Sequence, residues 1–256
     1  MAYQTLTYEK KENVMTVRIA GPEEVPEAVI RLSDELKELF DGIVLDDEVR
    51  VIVLTGATEK TFSFGTDSRF FSKDGQEGEA RFWTVTEPIA KTDRPVIAAI
   101  NGDAIGQGME MALASDIRIA AETCRFGLPQ IKGGVIPWDG GTQRLTRLVG
   151  RGKALEMILT GESISAGEAQ RIGLVNQVVP SGELMGITMK MAREMASKGS
   201  IALRYTKEAV YQGMDLTLEQ GLRLEADLYF LIHTTKDREE GIKAFREKKT
   251  PKFEGK

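Results

Sequence analysis

The sequence predicts an α/β protein whose strands are covered on both faces. A β-branched run, 49–56, and a continuous apolar segment, 95–100, each lead into a glycine-bearing turn, as strands buried on both sides of a sheet do. Around them lie stretches with the three-to-four-residue apolar period of amphipathic helices, so that strand, turn, helix and strand repeat along the chain. At 256 residues, with 41% hydrophobic and 29% charged side chains, the chain suits one large domain or a core carrying a smaller appendage.

Taken in order, the opening alternates as strands do, with Val14, Thr16, Arg18 and Ile19 in one segment. Val29, Leu32, Leu36 and Leu39 then follow helical spacing and predict a helix packed on the sheet. The β-branched run 49–56 predicts the next strand, and the polar, glycine-punctuated stretch 71–80 reads as a mobile lid beside a ligand site or a plain surface loop. Residues 95–102 give another strand and turn, followed by a buried helix around Glu110 and a strand over 116–121. From about Gly141 helices dominate, over 142–148, 153–159, 166–172, 185–197, 201–212 and 217–231, and with no linker before them they are expected to dock on the core.

Composition narrows the chemistry. Cys124 and His233 are the only residues of their kinds, which excludes a disulfide framework, a Cys/His zinc site and the usual histidine-based triads. The net charge of −5 argues against general nucleic-acid affinity. The tail is locally basic, with Lys243, Arg246, Lys248, Lys249, Lys252 and Lys256, and reads as a solvated face or a contact to a phosphorylated ligand. No apolar run approaches the roughly 18 residues of a membrane span, and the N-terminus lacks the pattern of a secretory signal, so the expected setting is cytoplasmic with no membrane partner.

Glu110 stands alone among Met109, Met111, Ala112 and Leu113, directly after a glycine-rich turn. On the first turn of a buried helix its carboxylate should be poorly solvated, with a raised pKa, which prepares a general acid/base; the alternative is a helix-start Glu serving the macrodipole. Three glycine-bearing turns could surround it: Phe62 to Asp67, Gly102 to Gly108, and Pro137 to Arg144. Gly106-Gln107-Gly108 leading into a helix gathers free main-chain N–H groups and the positive end of the macrodipole, a setting for a developing oxyanion. The order of Gly102, Gly106 and Gly108 is not the dinucleotide pattern, and no GK[ST] loop is present, so NAD and ATP are set aside.

The run Asn101-Gly102-Asp103-Ala104-Ile105-Gly106-Gln107-Gly108-Met109-Glu110 resembles the signature of the crotonase (enoyl-CoA hydratase/isomerase) superfamily. Phe62 to Asp67, Phe126 to Pro129, Pro137 to Arg144, Leu159 to Gly161, Ala166 to Val179 and Glu239 to Phe245 extend the resemblance over nearly the whole chain, most weakly over residues 20 to 45. It implies an α/β crotonase-like spiral of ββα turns, here residues 1–195, followed by a C-terminal helical trimerisation region over 196–256. A homotrimer or homohexamer is then expected. The implied substrate is an acyl-CoA thioester, with no separate cofactor or metal because coenzyme A enters as part of the substrate. The implied oxyanion hole is the pair of main-chain N–H groups of Phe64 and Gln107, with Ser63, Gly65, Asp67, Gly106, Gly108 and Trp138 as substrate-binding positions.

Family hydratases place two glutamates around one water. Glu110 matches the first, whereas Gln130 stands at the second, an amide that hydrogen-bonds water but does not exchange a proton at neutral pH. Asp139, one residue from an alternative acidic position of the family, either supplies the missing carboxylate or caps the helix beginning at Gly140 or Gly141. Trp138 is either core packing or an acyl-pocket wall. Phe64, Trp138 and the Phe70-Phe71 pair hint at a bulky, cyclic or aromatic acyl group, and Gln107 stands where the family usually has a glycine, its N–H still able to donate. The CoA portion is expected along Thr61 to Gly65. The resemblance implies addition of water to an enoyl-CoA or a shift of its double bond. A single-glutamate isomerase and a non-catalytic binder of acyl-CoA or RNA are the alternatives.

Overall fold

The computed structural model describes residues 3–20, 26–58, 62–63 and 84–256. A main sheet has the order β1 (Leu6–Lys11), β2 (Val14–Ile19), β3 (Val51–Gly56), β4 (Val96–Ile100), β6 (Ile117–Ala121) and β9 (Gln177–Val179). β1 and β2 are antiparallel and all later pairs are parallel. A second sheet joins β5 (Ala104–Ile105), β7 (Arg125–Gly127) and β8 (Ile164–Ser165). β3 and β4 are buried along their whole length, as expected of apolar strands covered on both faces.

β1 is less plainly written in the sequence. Only Leu6 of its six residues is buried, and its exposed Tyr, Glu and Lys side chains blur the apolar alternation while guarding a sheet edge. It turns into β2 through Glu12 and Asn13, at φ 54° and 62°, the two-residue hairpin geometry that asparagine tolerates well.

The helix after β2 is α1 (Pro26–Val44), where Leu32, Leu36 and Leu39 join Phe40 and Ile43 in the core. The helices predicted from Gly141 onward are present as α4 (Gly141–Val149), α5 (Arg151–Thr160), α6 (Ala166–Arg171), α7 (Leu184–Ala196), α8 (Ser200–Gly213) and α9 (Leu218–Ile232). Two more were not anticipated, the short α2 (Glu87–Lys91) and α10 (Lys236–Glu247). In α10 only Asp237 and Ala244 are buried, so its mixed charged face hid the helix. α7 lies across β2, β3, β4 and β6 and buries Leu184, Thr188, Ala192 and Ala196. Beyond it burial drops: α8 has no buried residue and α9 only Leu228. Among the described residues no helix is long and apolar enough to cross a membrane. The stretch 71–80 lies outside the described residues.

Two side chains, the half-buried Asn101 and the buried Arg118, set the position of α3 (Gln107–Ala114), which carries Glu110. Asn101, just past β4, accepts from Gly56 N–H at 2.9 Å and donates to the carbonyls of Gly56 and Thr58 at 3.0 and 2.7 Å, tying the carboxyl ends of β3 and β4 together. Arg118, on β6, donates to the carbonyls of Leu174, Ser115 and Ala112 at 2.8, 2.6 and 3.4 Å, fixing the last turn of α3 against the sheet. Burial pulls its pKa down.

The end of the basic tail sits elsewhere. Arg50, immediately before β3, donates to Phe253 and Ala196 carbonyls, and Asp237 accepts from Glu254 and Gly255 N–H. Residues 253–255 are therefore strapped to the edge where the parallel strands begin, opposite the edge where Asn101 lies.

Replacing Arg118 by Met keeps length but strands three buried carbonyls. Urea unfolding should show a loss of about 3 kcal/mol; a loss within about 1 kcal/mol, that of a single ordinary hydrogen bond, would mean that Arg118 does not hold α3.

Candidate active site

After β4 the chain turns at Asn101 to Asp103, forms the two-residue β5 and reaches Gly106. Gly106 has φ 59° and ψ −119°, a backbone conformation open essentially to glycine, and its N–H donates to Gly127 at 2.9 Å. This bend starts α3 abruptly, leaving the first-turn N–H groups beyond reach of intrahelical acceptors. Glu110 N–H is the first to be satisfied, by Gly106 at 3.0 Å. Every residue of α3 is buried.

The turn read as the first oxyanion element is described at Phe62 and Ser63. Phe62 N–H donates to the Asp103 carbonyl at 3.1 Å, its ring is fully buried, and the Ser63 hydroxyl points at Met111 Sδ at 3.2 Å. The two turns are thus fastened to each other beside α3. Phe64, Gly65, Asp67 and the Phe70-Phe71 pair lie outside the described residues, as does Thr61.

Glu110 has no exposed surface. Its Oε1 accepts from the N–H groups of Asp139 and Gly141, both at 2.9 Å, at the start of α4. Its Oε2 faces Gln130 Nε2 at 3.4 Å, on the one-turn helix Pro129–Gly133. The sequence thus brings Glu110 and Gln130 together as expected. Burial pushes the Glu110 pKa up from 4.5 to about 7; the Gly141 N–H opposes this, the Asp139 carboxylate adds to it, and the Asp139 N–H and Arg144 pull the other way. Desolvation outweighs the two main-chain hydrogen bonds, so the carboxyl holds its proton well above the usual carboxylate range.

Gly141 is glycine because the space is taken. A Cβ there would lie 2.9 Å from Glu110 Oε1 and 2.8 Å from Pro137 Cβ.

Asp139 is not the cap of α4, whose N-cap is Gly140 with no side-chain hydrogen bond. Its carboxylate instead accepts from the N–H groups of Val85 and Thr86 and the hydroxyls of Thr84 and Thr86, just before α2. Arg144 donates to the Asp139 carbonyl at 2.9 Å and to Thr86 Oγ1 at 3.1 Å. A helix cap was expected because a glycine pair follows an aspartate, but the left-handed Gly140, at φ 103°, turns the side chain away from α4. Trp138 is 45% exposed, so it is not core packing.

Residues 9–256 match the family model described as Enoyl-CoA hydratase/isomerase. The chain belongs to that family. It is an acyl-CoA enzyme of the enoyl-CoA hydratase/isomerase type, which sets aside a purely non-catalytic binder. It is 37% identical to a crotonyl-CoA hydratase of Syntrophomonas wolfei, over 99% of both chains. It is 38% identical to an (E)-benzylidenesuccinyl-CoA hydratase of Thauera aromatica, over 98% of this chain and 99% of that one. The crystal structure of an enoyl-CoA hydratase from Bacillus anthracis, 39% identical, superposes with a TM-score of 0.89 over 99% of this chain and all of the other. Two relatives with different acyl groups in their names are equally similar, so overall identity does not select the acyl group.

Three features around Glu110 are not evident from the sequence: the Asp139 and Gly141 amides on Glu110, the Asp139 clamp on 84–86, and Arg144. The Gly140-Gly141 pair was the available signal, since adjacent glycines before a helix mark close backbone approach. Elsewhere, Cys124 is buried with its thiol donating to Ile100 at 3.2 Å and its pKa pushed up by burial to about 11, an inert thiol. Among the described residues no group of three or more His, Cys, Asp or Glu could hold a metal.

Because the folded pKa of Glu110 lies above its unfolded value, the folded state holds the extra proton between pH 4.5 and 7. Its contribution to stability is complete below that window and is lost as pH rises through it, by roughly 3 kcal/mol. Glu110→Gln should therefore gain stability relative to the parent as pH rises from 4.5 through about 7 in paired denaturation curves. A pH-independent difference would mean an unshifted carboxyl.

Proposed function

We propose that the enzyme hydrates a conjugated enoyl-CoA with one proton carrier, Glu110. The carrying observation is the asymmetry of its carboxylate: Oε1 is occupied by two main-chain N–H groups and Oε2 faces a neutral amide, Gln130. The mobile proton then resides on Oε2. Water between Oε2 and Gln130 Oε1 gives one proton to Glu110 as its oxygen bonds to the β-carbon. The electron pair of the double bond moves onto the thioester oxygen, and the same proton is returned to the α-carbon.

The enolate oxygen is received by the Gln107 N–H, freed by the Gly106 bend, and by the Phe64 N–H. A well-aimed donor contributes roughly 3 to 4 kcal/mol. Gly106 and Gly108 allow the acyl thioester to approach the backbone, Ser63 and Gly65 with Asp67 border it, and Trp138 walls the acyl side. Asp139 acts through its N–H on Glu110, with its carboxylate holding that N–H in place.

One observation favours a second reading, migration of a double bond: moving a proton from the α-carbon of a 3-enoyl-CoA to its γ-carbon also needs a single carboxylate. A 3-enoyl-CoA offered to the enzyme separates the two, since only the isomerase converts it to the conjugated form without added water.

We further propose that residues 196–256 form the oligomer contact of a homotrimer or a hexamer of paired trimers. Met214, Leu218, Leu222, Tyr229, Phe230 and Phe245 are all exposed on this segment, an apolar area a second copy would cover.

Glu110→Gln should lower kcat for crotonyl-CoA by about 10²-fold or more, and unchanged turnover would remove Glu110 from the chemistry. Since the ionised form starts the reaction, kcat/KM should rise through a single limb with its midpoint near pH 7 and then stay level. A fall at high pH would require a second essential acid.

Gln130→Glu would put a second carboxylate beside Oε2. Two such groups do not ionise together readily, so the profile should become bell-shaped, with its upper pKa above that of the parent. An unaltered single limb would mean that position 130 does not face the reacting groups.

A further inference from the structure

Five buried side-chain atoms lack a hydrogen-bond partner among the described residues: Arg50 Nε, Asp116 Oδ1, Thr188 Oγ1, Gln107 Nε2 and Gln130 Oε1. Arg50 and Asp116 are bonded through their other atoms, Arg50 to the carbonyls of Ala196 and Phe253, and Asp116 to Val96 N–H and Lys207. Thr188 is a single hydroxyl on α7, under the main sheet. The two glutamines differ because both adjoin the proton carrier. Gln130 is within reach of Glu110, and Gln107 stands three residues before it on α3, hence on the same helical face one turn away.

Gln107 is 4% exposed, and a buried amide N–H without an acceptor is costly in a chain that elsewhere gives Arg118 and Asp139 three or more partners each. The residue's main-chain N–H and side chain leave the same Cα, so a substrate whose thioester oxygen meets the one brings its acyl carbons toward the other. We propose that Gln107 is a specificity-determining residue whose side-chain amide donates to a neutral oxygen on the acyl group, a hydroxyl or ketone beyond the thioester carbonyl. The favoured substrates are therefore oxygen-substituted enoyl-CoAs.

A neutral oxygen fits better than a carboxylate. Gln107 carries no charge, Glu110 already places an anion on this face, and the neighbouring guanidinium of Arg144 is engaged by Thr86 and the Asp139 carbonyl. Among the described residues a second buried anion would have no free cation to pair with there. Gln130 has the complementary role: its orphan is an acceptor, suited to water rather than to a carbonyl. The inference rests on the oxyanion and proton-carrier reading given above.

The test compares kcat/KM of the parent enzyme for crotonyl-CoA with that for 4-hydroxycrotonyl-CoA and 4-oxopent-2-enoyl-CoA, then repeats the comparison with Gln107→Met. The parent should prefer at least one oxygenated substrate by about tenfold or more, since a site built to hydrogen-bond a group rejects the analogue lacking it. Gln107→Met should erase that preference through KM of the oxygenated substrate. A parent that turns over crotonyl-CoA as well as both oxygenated compounds overturns this inference alone. So does a variant that keeps the preference or slows all three equally. A parent that turns over none of the three overturns the hydration reading and this inference with it.

Discussion

The site depends on one arrangement: a carboxylate with no exposed surface that accepts two main-chain hydrogen bonds at the start of α4. Without those bonds Glu110 would be an ion in an apolar helix environment and would simply stay protonated; with them but in water it would stay ionised. Burial and the two N–H groups pull in opposite directions and leave the pKa at about 7, where both forms are within reach. A proton carrier needs that balance, and it is set by positions in the backbone rather than by a partner of opposite charge.

Holding two amides at hydrogen-bond distance from a buried oxygen requires that α3 and α4 be fixed relative to each other. α3 is fixed at both ends, by the Gly106 bend and its bond to Gly127, and by Arg118 on the carbonyls of its last turn. The α4 side is fixed through Asp139, whose carboxylate gathers donors from residues 84–86 while its N–H serves Glu110. One residue thus joins three segments remote in sequence. Fastening the carboxyl ends of β3 and β4 through Asn101, and Phe62 to Asp103, extends the same rigidity to the first turn.

Much of this was legible from the chain. The strands 49–56 and 95–100 and the helices after Gly141 announced themselves by apolar pattern, and Glu110 by being the one charged residue in an apolar helix. Gln130 was placed beside it by resemblance to the family rather than by any periodicity. What was illegible had physical reasons. β1 and α10 present mostly charged side chains to solvent, so neither shows a clean apolar stripe. Main-chain donors leave no residue-type signature, so the Asp139 and Gly141 amides could only be hinted at by a glycine pair. The direction of the Asp139 carboxylate turned on the left-handed Gly140, a backbone choice that residue identity permits but does not dictate.

The neutral residue at position 130 follows from the same balance. With Gln130 Nε2 at 3.4 Å from Glu110 Oε2, a carboxylate in its place would press a second negative charge on a group already raised by burial and by Asp139. The pair would then titrate as a unit and hold a shared proton. An amide leaves the ionisation to Glu110 alone while still offering an acceptor to water. In the proposed mechanism proton transfer and positioning are thereby separated: Glu110 moves the proton, and the neutral amides Gln130 and Gln107 orient what it acts on. Selectivity at such a site comes from hydrogen-bond matching around a fixed carrier, which lets the acyl group be chosen without disturbing the pKa on which the chemistry rests.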